Sequence, residues 1–186
     1  MRTRLSHLRH RGRTAAQGIC AVLLFVASTG LGAEAETGAV SGQPLPRFVS
    51  LKSDEVNLRT GPGKEYPTQW VYRRAGLPVE VLKEFEGWRQ VRDAEGVIGW
   101  VSLTLLSGRR TALVLPWEVK PNTQPPSVAL RDDDSEGARA TAMVEAGVIA
   151  NIQSCDSQWC FVTVDSYRGY VEQGKLWGIY PGEIIK

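Results

Sequence analysis

The chain has 186 residues, with 22 basic and 20 acidic side chains, two histidines and three cysteines. That length accommodates one ordinary domain or two small ones. A net charge of +2 is too small to mark a polyanion binder, and both histidines lie in the first ten residues, so the rest of the chain lacks the commonest general base.

From the N-terminus, Arg2, Arg4, Arg9, Arg11 and Arg13 form a basic head, Ile19 to Ala27 is an unbroken apolar run, and Ala33-Glu34-Ala35 fits a small-x-small cleavage site. This pattern predicts a secretory signal peptide over residues 1–35, with an apolar run too short to span a bilayer; an uncleaved anchor is the rival reading. Cys20 precedes most of the apolar run, whereas a lipid-modified cysteine would follow it. Loss of the five arginines and Glu34 turns 22 basic and 20 acidic residues into 17 and 19, a net charge of −2, and removes His7 and His10. The mature chain is therefore expected to be periplasmic or secreted, with no nucleic-acid partner and no stable membrane insertion.

Residues 36–48 are rich in Gly, Ala, Ser and Pro, carry no hydrophobic period, and read as a disordered lead-in. A first module is expected over residues 49–114. Its apolar residues alternate or come in short bursts, as in Val79 and Val81, Trp88 and Val91, and Trp100-Val101, the two-residue period of half-buried strands. Turn signals at Gly61-Pro62-Gly63, Gly76, Glu86-Gly87 and Asp93-Ala94-Glu95-Gly96 separate them. Residues 115–126, with Pro116, Pro121, Pro125 and Pro126, read as a stiff proline-rich connector.

A second module, over residues 127–186, echoes the first. Gly76, Val81, Trp88 and Val91 recur 71 positions later as Gly147, Ile152, Trp159 and Val162. Leu58-Arg59 returns as Leu130-Arg131, and Gly99-Trp100-Val101 as Gly169-Tyr170-Val171. The stretch Ala138 to Ala146 is alanine-rich and is assigned to a long loop, because its counterpart, Lys64 to Ala75, contains Pro67 and has no helical pattern. Modules of about 60 residues lie near the lower limit for a self-sufficient core, so the repeated Trp88, Trp100, Trp159 and Tyr170 are expected inside it. The first module has 10 basic and 8 acidic residues and the second 5 and 9, net +2 against −4, which favours docking of one on the other.

Cys155 and Cys160 are the only cysteines beyond the signal, an even pair in a chain bound for an oxidising compartment, so a disulfide is expected. It would clasp the base of a hairpin turning on Asp156-Ser157, adding about 2 kcal/mol at most by loop entropy. A redox or metal-binding dithiol is the alternative.

The first module, from Asn57-Leu58-Arg59-Thr60-Gly61-Pro62-Gly63 through Gly76 and Gly87-Trp88-x-x-Val91 to Gly99-Trp100-Val101, resembles the bacterial SH3-like domain (SH3b). The second resembles a degenerate copy in which Gly-Pro-Gly has become Asp132-Asp133-Asp134. The resemblance implies an all-β chain of two small SH3-like β-barrels in tandem. Gly99 and Gly169 suit the close backbone approach that closing such a barrel demands. It also implies binding of peptidoglycan peptides, other envelope components or protein partners.

Catalytic patterns find no support in the residues. Without histidine or a free thiol, Ser-His-Asp and Cys-His arrangements are excluded from the mature chain. Asp132, Asp134, Glu136 and Gly137 imitate the start of an EF-hand loop, but Met143 stands where a bidentate glutamate is required, so no metal and no cofactor is expected. Arg59 and Arg131 share one repeat position, which favours bonding to loop carbonyls over a ligand clamp. Tyr66, Trp70 and Tyr72 are left over by the barrel pattern and are the candidates for ligand binding, packing under the loop being the competing explanation. The expected function is that of a non-catalytic exported protein binding peptidoglycan peptide or a cell-envelope protein. The alternative is a structural or assembly protein whose second module docks on the first and on a partner chain.

Overall fold

The computed structural model describes residues 36–186; the expected signal peptide lies outside the described residues. Two short strands, β1 (Glu36–Thr37) and β2 (Pro44–Leu45), pair antiparallel. They are followed by β3 (Arg47–Leu51), β4 (Val56–Arg59), β5 (Thr68–Tyr72), β6 (Pro78–Phe85), β7 (Trp88–Arg92), β8 (Ile98–Ser102) and β9 (Leu106–Ser107), which form one sheet in the order β5-β4-β8-β7-β6-β3-β9. A second sheet contains β10 (Thr111–Val114), β11 (Ser127–Arg131), β12 (Ala140–Glu145), β13 (Ile149–Asp156), β14 (Trp159–Val164), β15 (Tyr167–Glu172) and β16 (Leu176–Trp177), in the order β12-β11-β15-β14-β13-β10-β16, with β17 (Ile184–Ile185) added on β13. Among the described residues, helix is confined to the 3-10 turns Leu103–Leu105, Pro116–Glu118 and Gln173–Lys175. The chain is thus all-β with two SH3-like sheets, neither of which closes on itself by strand pairing.

The two strand orders coincide when β3 is matched to β10, β4 to β11, and so on to β9 and β16. This moves the boundary expected at residue 114. Thr111–Val114 belongs to the second sheet, where it pairs with β13 and β16. Only Gly108, Arg109 and Arg110 join the copies, and residues 115–126 are an insertion between the first two strands of the second one. Alternation explains the placement: Ala112 and Val114 enter the second core, while Thr111 and Leu113 point the other way, the Thr111 hydroxyl donating to the Gly76 carbonyl at 2.8 Å.

Two further expectations are corrected. Residues 36–48 are ordered, because Leu45 and Phe48 are buried and the Glu84 carboxylate accepts the backbone N–H groups of Val40 (3.1 Å) and Ser41 (2.8 Å). Ala140–Glu145 is an edge strand and not part of a loop; its small alanines hide a period carried inward mainly by Val144.

Each sheet wraps an aliphatic core. Leu51, Val56, Leu58, Val79, Val81, Val91 and Val101 fill the first. Val128, Leu130, Val144, Ile152, Val162 and Val171 fill the second, beside the Cys155–Cys160 disulfide, whose cysteines face each other across the β13–β14 ladder. Each fully buried Val or Leu contributes roughly 1.5–3 kcal/mol. The repeated aromatics do not enter these cores. In β7 the inward residues are Arg89 and Val91, so Trp88 points outward; in β8 the buried Gly99 and Val101 flank an outward Trp100. Trp159 and Tyr170 repeat this, Tyr170 meeting Phe161 at 5.0 Å, and all four are half-buried on the outer face.

The glycines of the repeat are set by close approach. A Cβ on Gly99 would stand 2.5 Å from Leu58 Cγ and 2.9 Å from the Arg59 carbonyl, and one on Gly169 2.6 Å from the Arg131 carbonyl. The strand crossing therefore has room for hydrogen only.

The copies meet through their ends. Phe48 packs edge-on to Trp177 at 5.1 Å and against Tyr180 at 4.8 Å. The Tyr180 hydroxyl donates to Glu80 Oε1 at 2.9 Å, while Arg92 donates to the other oxygen of that buried carboxylate. Burial, then the bond to and charge of Glu80, push the Tyr180 phenol up, so it remains a donor.

Candidate functional site

Strand β5 is one edge of the first sheet, and it carries two of the three aromatics singled out above. Trp70 is 58% exposed, whereas Tyr72, two residues along the same face, is 5% exposed. The Tyr72 hydroxyl donates to Asp93 Oδ2 at 2.9 Å. Burial first, and then the charge and acceptance of Asp93, raise the Tyr72 pKa, keeping the phenol protonated. Asp93 is in turn fixed, its Oδ1 accepting the N–H groups of Glu95 (3.0 Å) and Val97 (2.9 Å).

Trp70 and Tyr72 line a cleft of about 370 Å³ whose other wall comes from the second copy. Leu77 and Leu113 are among its apolar lining, Pro116 and Val119 of the insertion close one side, and Arg73, Arg74 and Glu95 supply charge. Arg74 donates to the Gly147 carbonyl at 3.0 Å, tying the two walls together. Gly76 and Gly147, at equivalent repeat positions, both have φ near +80° (77° and 82°), the left-handed turn a side chain would strain. The lining includes no serine, threonine, cysteine or histidine; it can present an indole face, guanidinium donors and carboxylates to a ligand.

Tyr66 is not brought to this cleft. Its ring covers Gly61, and its carbonyl accepts Arg59 Nη1 at 2.7 Å, the same guanidinium nitrogen reaching the Lys64 carbonyl at 3.2 Å. Arg131 does the equivalent in the second copy, donating to the Ala138 carbonyl at 2.6 Å. Both arginines strap the loop that follows them.

Two of the outward tryptophans, Trp88 and Trp159, line concavities of their own. One of about 200 Å³ in the first copy is bordered by Asn57, Arg59, Lys64, Trp88, Ser102 and Thr104. A larger one of about 690 Å³ occupies the corresponding place in the second copy, beside Trp159. The core position expected for these tryptophans is ruled out by their spacing. Trp88 and Val91 are an odd number of residues apart, as are Trp159 and Val162, so one strand cannot direct both to one face. Among the described residues no group of three or more His, Cys, Asp or Glu side chains is placed to hold a metal ion.

Two sheets of identical strand order, joined by three residues and bearing clefts lined in part by aromatic side chains, define a tandem SH3-like protein. The chain belongs to the bacterial SH3 domain family, whose description (Bacterial SH3 domain) matches at residues 52–108 and again at 124–178. Among curated proteins none matches the sequence. Similar solved structures include NlpC2 from Trichomonas vaginalis, 14% identical over 71% of this chain and 48% of that one with a TM-score of 0.31. NlpC1 from the same organism is 14% identical over 75% and 48%, with a TM-score of 0.29. An NlpC/P60 family protein from Bacillus cereus ATCC 10987 is 12% identical over 70% and 55%, with a TM-score of 0.30. The chain thus spans about half the length of each.

Proposed function

We propose that this is a non-catalytic binding protein of the cell envelope, periplasmic or secreted, which holds a peptidoglycan stem peptide in the cleft between its two SH3-like copies. The observation that carries the reading is Trp70, an indole 58% exposed at the rim of a cleft of about 370 Å³ that neither copy builds alone. Exposed aromatics that present a large rigid face beside a few charged groups are the usual means of gripping an extended peptide. Family membership and the disulfide support an extracytoplasmic setting. Among the described residues no helix is long and apolar enough to cross a membrane.

Purified sacculi provide the test. The protein is expected to sediment with them, and Trp70→Ala to lose retention while unfolding normally; absence of retention beside a known binder would overturn the peptidoglycan reading. A second reading, an assembly protein acting on a partner chain, is favoured by the docking of the copies through Phe48, Trp177 and Tyr180. It predicts a stable partner on co-purification from native envelopes and no retention on sacculi.

A further inference from the structure

The groove beside Trp159 differs from its repeat equivalent in both size and charge. Where the first copy has Lys64 and Ser102, the second has Glu136 and Glu172. The greater volume, about 690 Å³ against about 200 Å³, comes with a wall the first copy lacks: Ile179, Pro181 and Gly182 of the C-terminal segment. In the first copy the chain leaves β9 directly for β10, so nothing corresponds to that wall.

The wall is held firmly. Arg110 pairs with both oxygens of Glu183 at 2.6 and 3.1 Å. The buried Gln173 donates to the Glu183 carbonyl at 2.9 Å and accepts the Gly182 N–H at 2.6 Å. β17 then pairs with β13 at Cys155 and Asp156, beside the disulfide. The opposite side is fixed by Asp156, whose Oδ1 accepts the N–H groups of Gln158 (2.9 Å) and Trp159 (2.8 Å). A groove with anchored walls loses little conformational freedom on binding.

Its chemistry favours a cation. Glu136 is exposed and enters no ion pair among the described residues, and Glu172 engages Lys175 through Oε1 alone. An indole face attracts a guanidinium or ammonium group, and carboxylates alongside accept its hydrogen bonds. The surrounding copy, residues 111–186, has 6 basic and 10 acidic residues, which adds a long-range attraction. We propose that this groove is a second binding site, separate from the Trp70 cleft, for an extended protein segment carrying an arginine or lysine side chain. The cation lies against Trp159 between Glu136 and Glu172, and the flanking backbone runs along Ile179 and Pro181.

The test is titration of the purified protein with the acetylated, amidated peptide Gly-Pro-Arg-Pro-Gly, following the six tryptophan indole N–H signals by NMR, with Trp159→Phe to assign the relevant one. The Trp159 signal is expected to shift and saturate with a Kd of about 1 mM or tighter. The same peptide with norleucine for arginine should bind at least tenfold more weakly, and Glu136→Gln should weaken the arginine peptide by about threefold to fivefold. Raising salt from about 20 to about 300 mM should lower affinity further. Equal binding of the norleucine peptide would overturn the proposal, as would a response at Trp70 with Trp159 silent, or an unchanged affinity in Glu136→Gln. Glu136 is solvent-exposed, so its substitution leaves the fold intact, and retention on sacculi remains a separate readout of the Trp70 cleft.

Discussion

Replacing Glu84 by glutamine should reveal what holds residues 36–48 to the first sheet. The Glu84 side chain is 1% exposed and lies within 2.8 Å of Arg47 and 3.3 Å of Arg89 Nε. Its oxygens also accept the Ser41 hydroxyl at 2.6 Å and the N–H groups of Ser41 and Val40. Burial by itself would raise the carboxyl pKa, but the bonds from Ser41, Arg47 and Val40 outweigh it and hold the pKa at about 2, against an ordinary 4.5. That difference corresponds to about 3 kcal/mol. Because the native carboxyl resists protonation and the unfolded one does not, this contribution is complete above about pH 5 and is lost progressively as pH falls toward 2. Glu84→Gln removes it at every pH and leaves the buried Arg89 without its counter-ion, so at neutral pH the variant should be about 3 kcal/mol less stable. For about 150 ordered residues this lowers Tm by roughly 6–12 °C. Urea unfolding followed by tryptophan fluorescence at pH 7, 5 and 2.5 measures both quantities. A gap between the proteins below about 1 kcal/mol at pH 7, or one that does not narrow between pH 5 and 2.5, would refute the assignment.

Replacing Cys155 and Cys160 together by serine should cost about 2 kcal/mol by loop entropy, read as a lower urea midpoint with unchanged slope. Tyr180→Phe deprives the buried Glu80 of one donor and should destabilise by roughly 1–3 kcal/mol, measured by thermal unfolding; no change would mean that the Tyr180–Glu80 hydrogen bond contributes nothing. Gly169→Ala drives a methyl group into the Arg131 carbonyl and should cost roughly 3 kcal/mol, whereas Gly87→Ala, with no atom within 4 Å of the added carbon, should stay within about 0.5 kcal/mol.

Much of this protein is legible along the chain. The two-residue period, the turn glycines and the 71-residue echo specify an all-β tandem repeat, because strand alternation and tight turns are set by neighbours in sequence. The Cys155–Cys160 disulfide follows from the hairpin between them, a local element. The carbonyl-bonding roles of Arg59 and Arg131 involve partners only five to seven residues away. What depends on distant partners was not legible. The disorder inferred for residues 36–48 from composition took no account of Glu84, which anchors the segment from 43 and 44 positions away. Thr111–Val114 is apolar enough for either copy, and its pairing with β13 and β16 assigns it to the second. Tyr66 and Trp70 are equivalent as unassigned loop aromatics, yet one covers Gly61 and the other opens onto a cleft whose far wall is Leu113, Pro116 and Val119. The type of fold and its repetition can thus be read along the chain, because they arise from short-range backbone preferences. Where the copies divide, which aromatics face solvent and where a ligand can lie emerge from the folded molecule, because they depend on which surfaces remain uncovered once distant strands have paired.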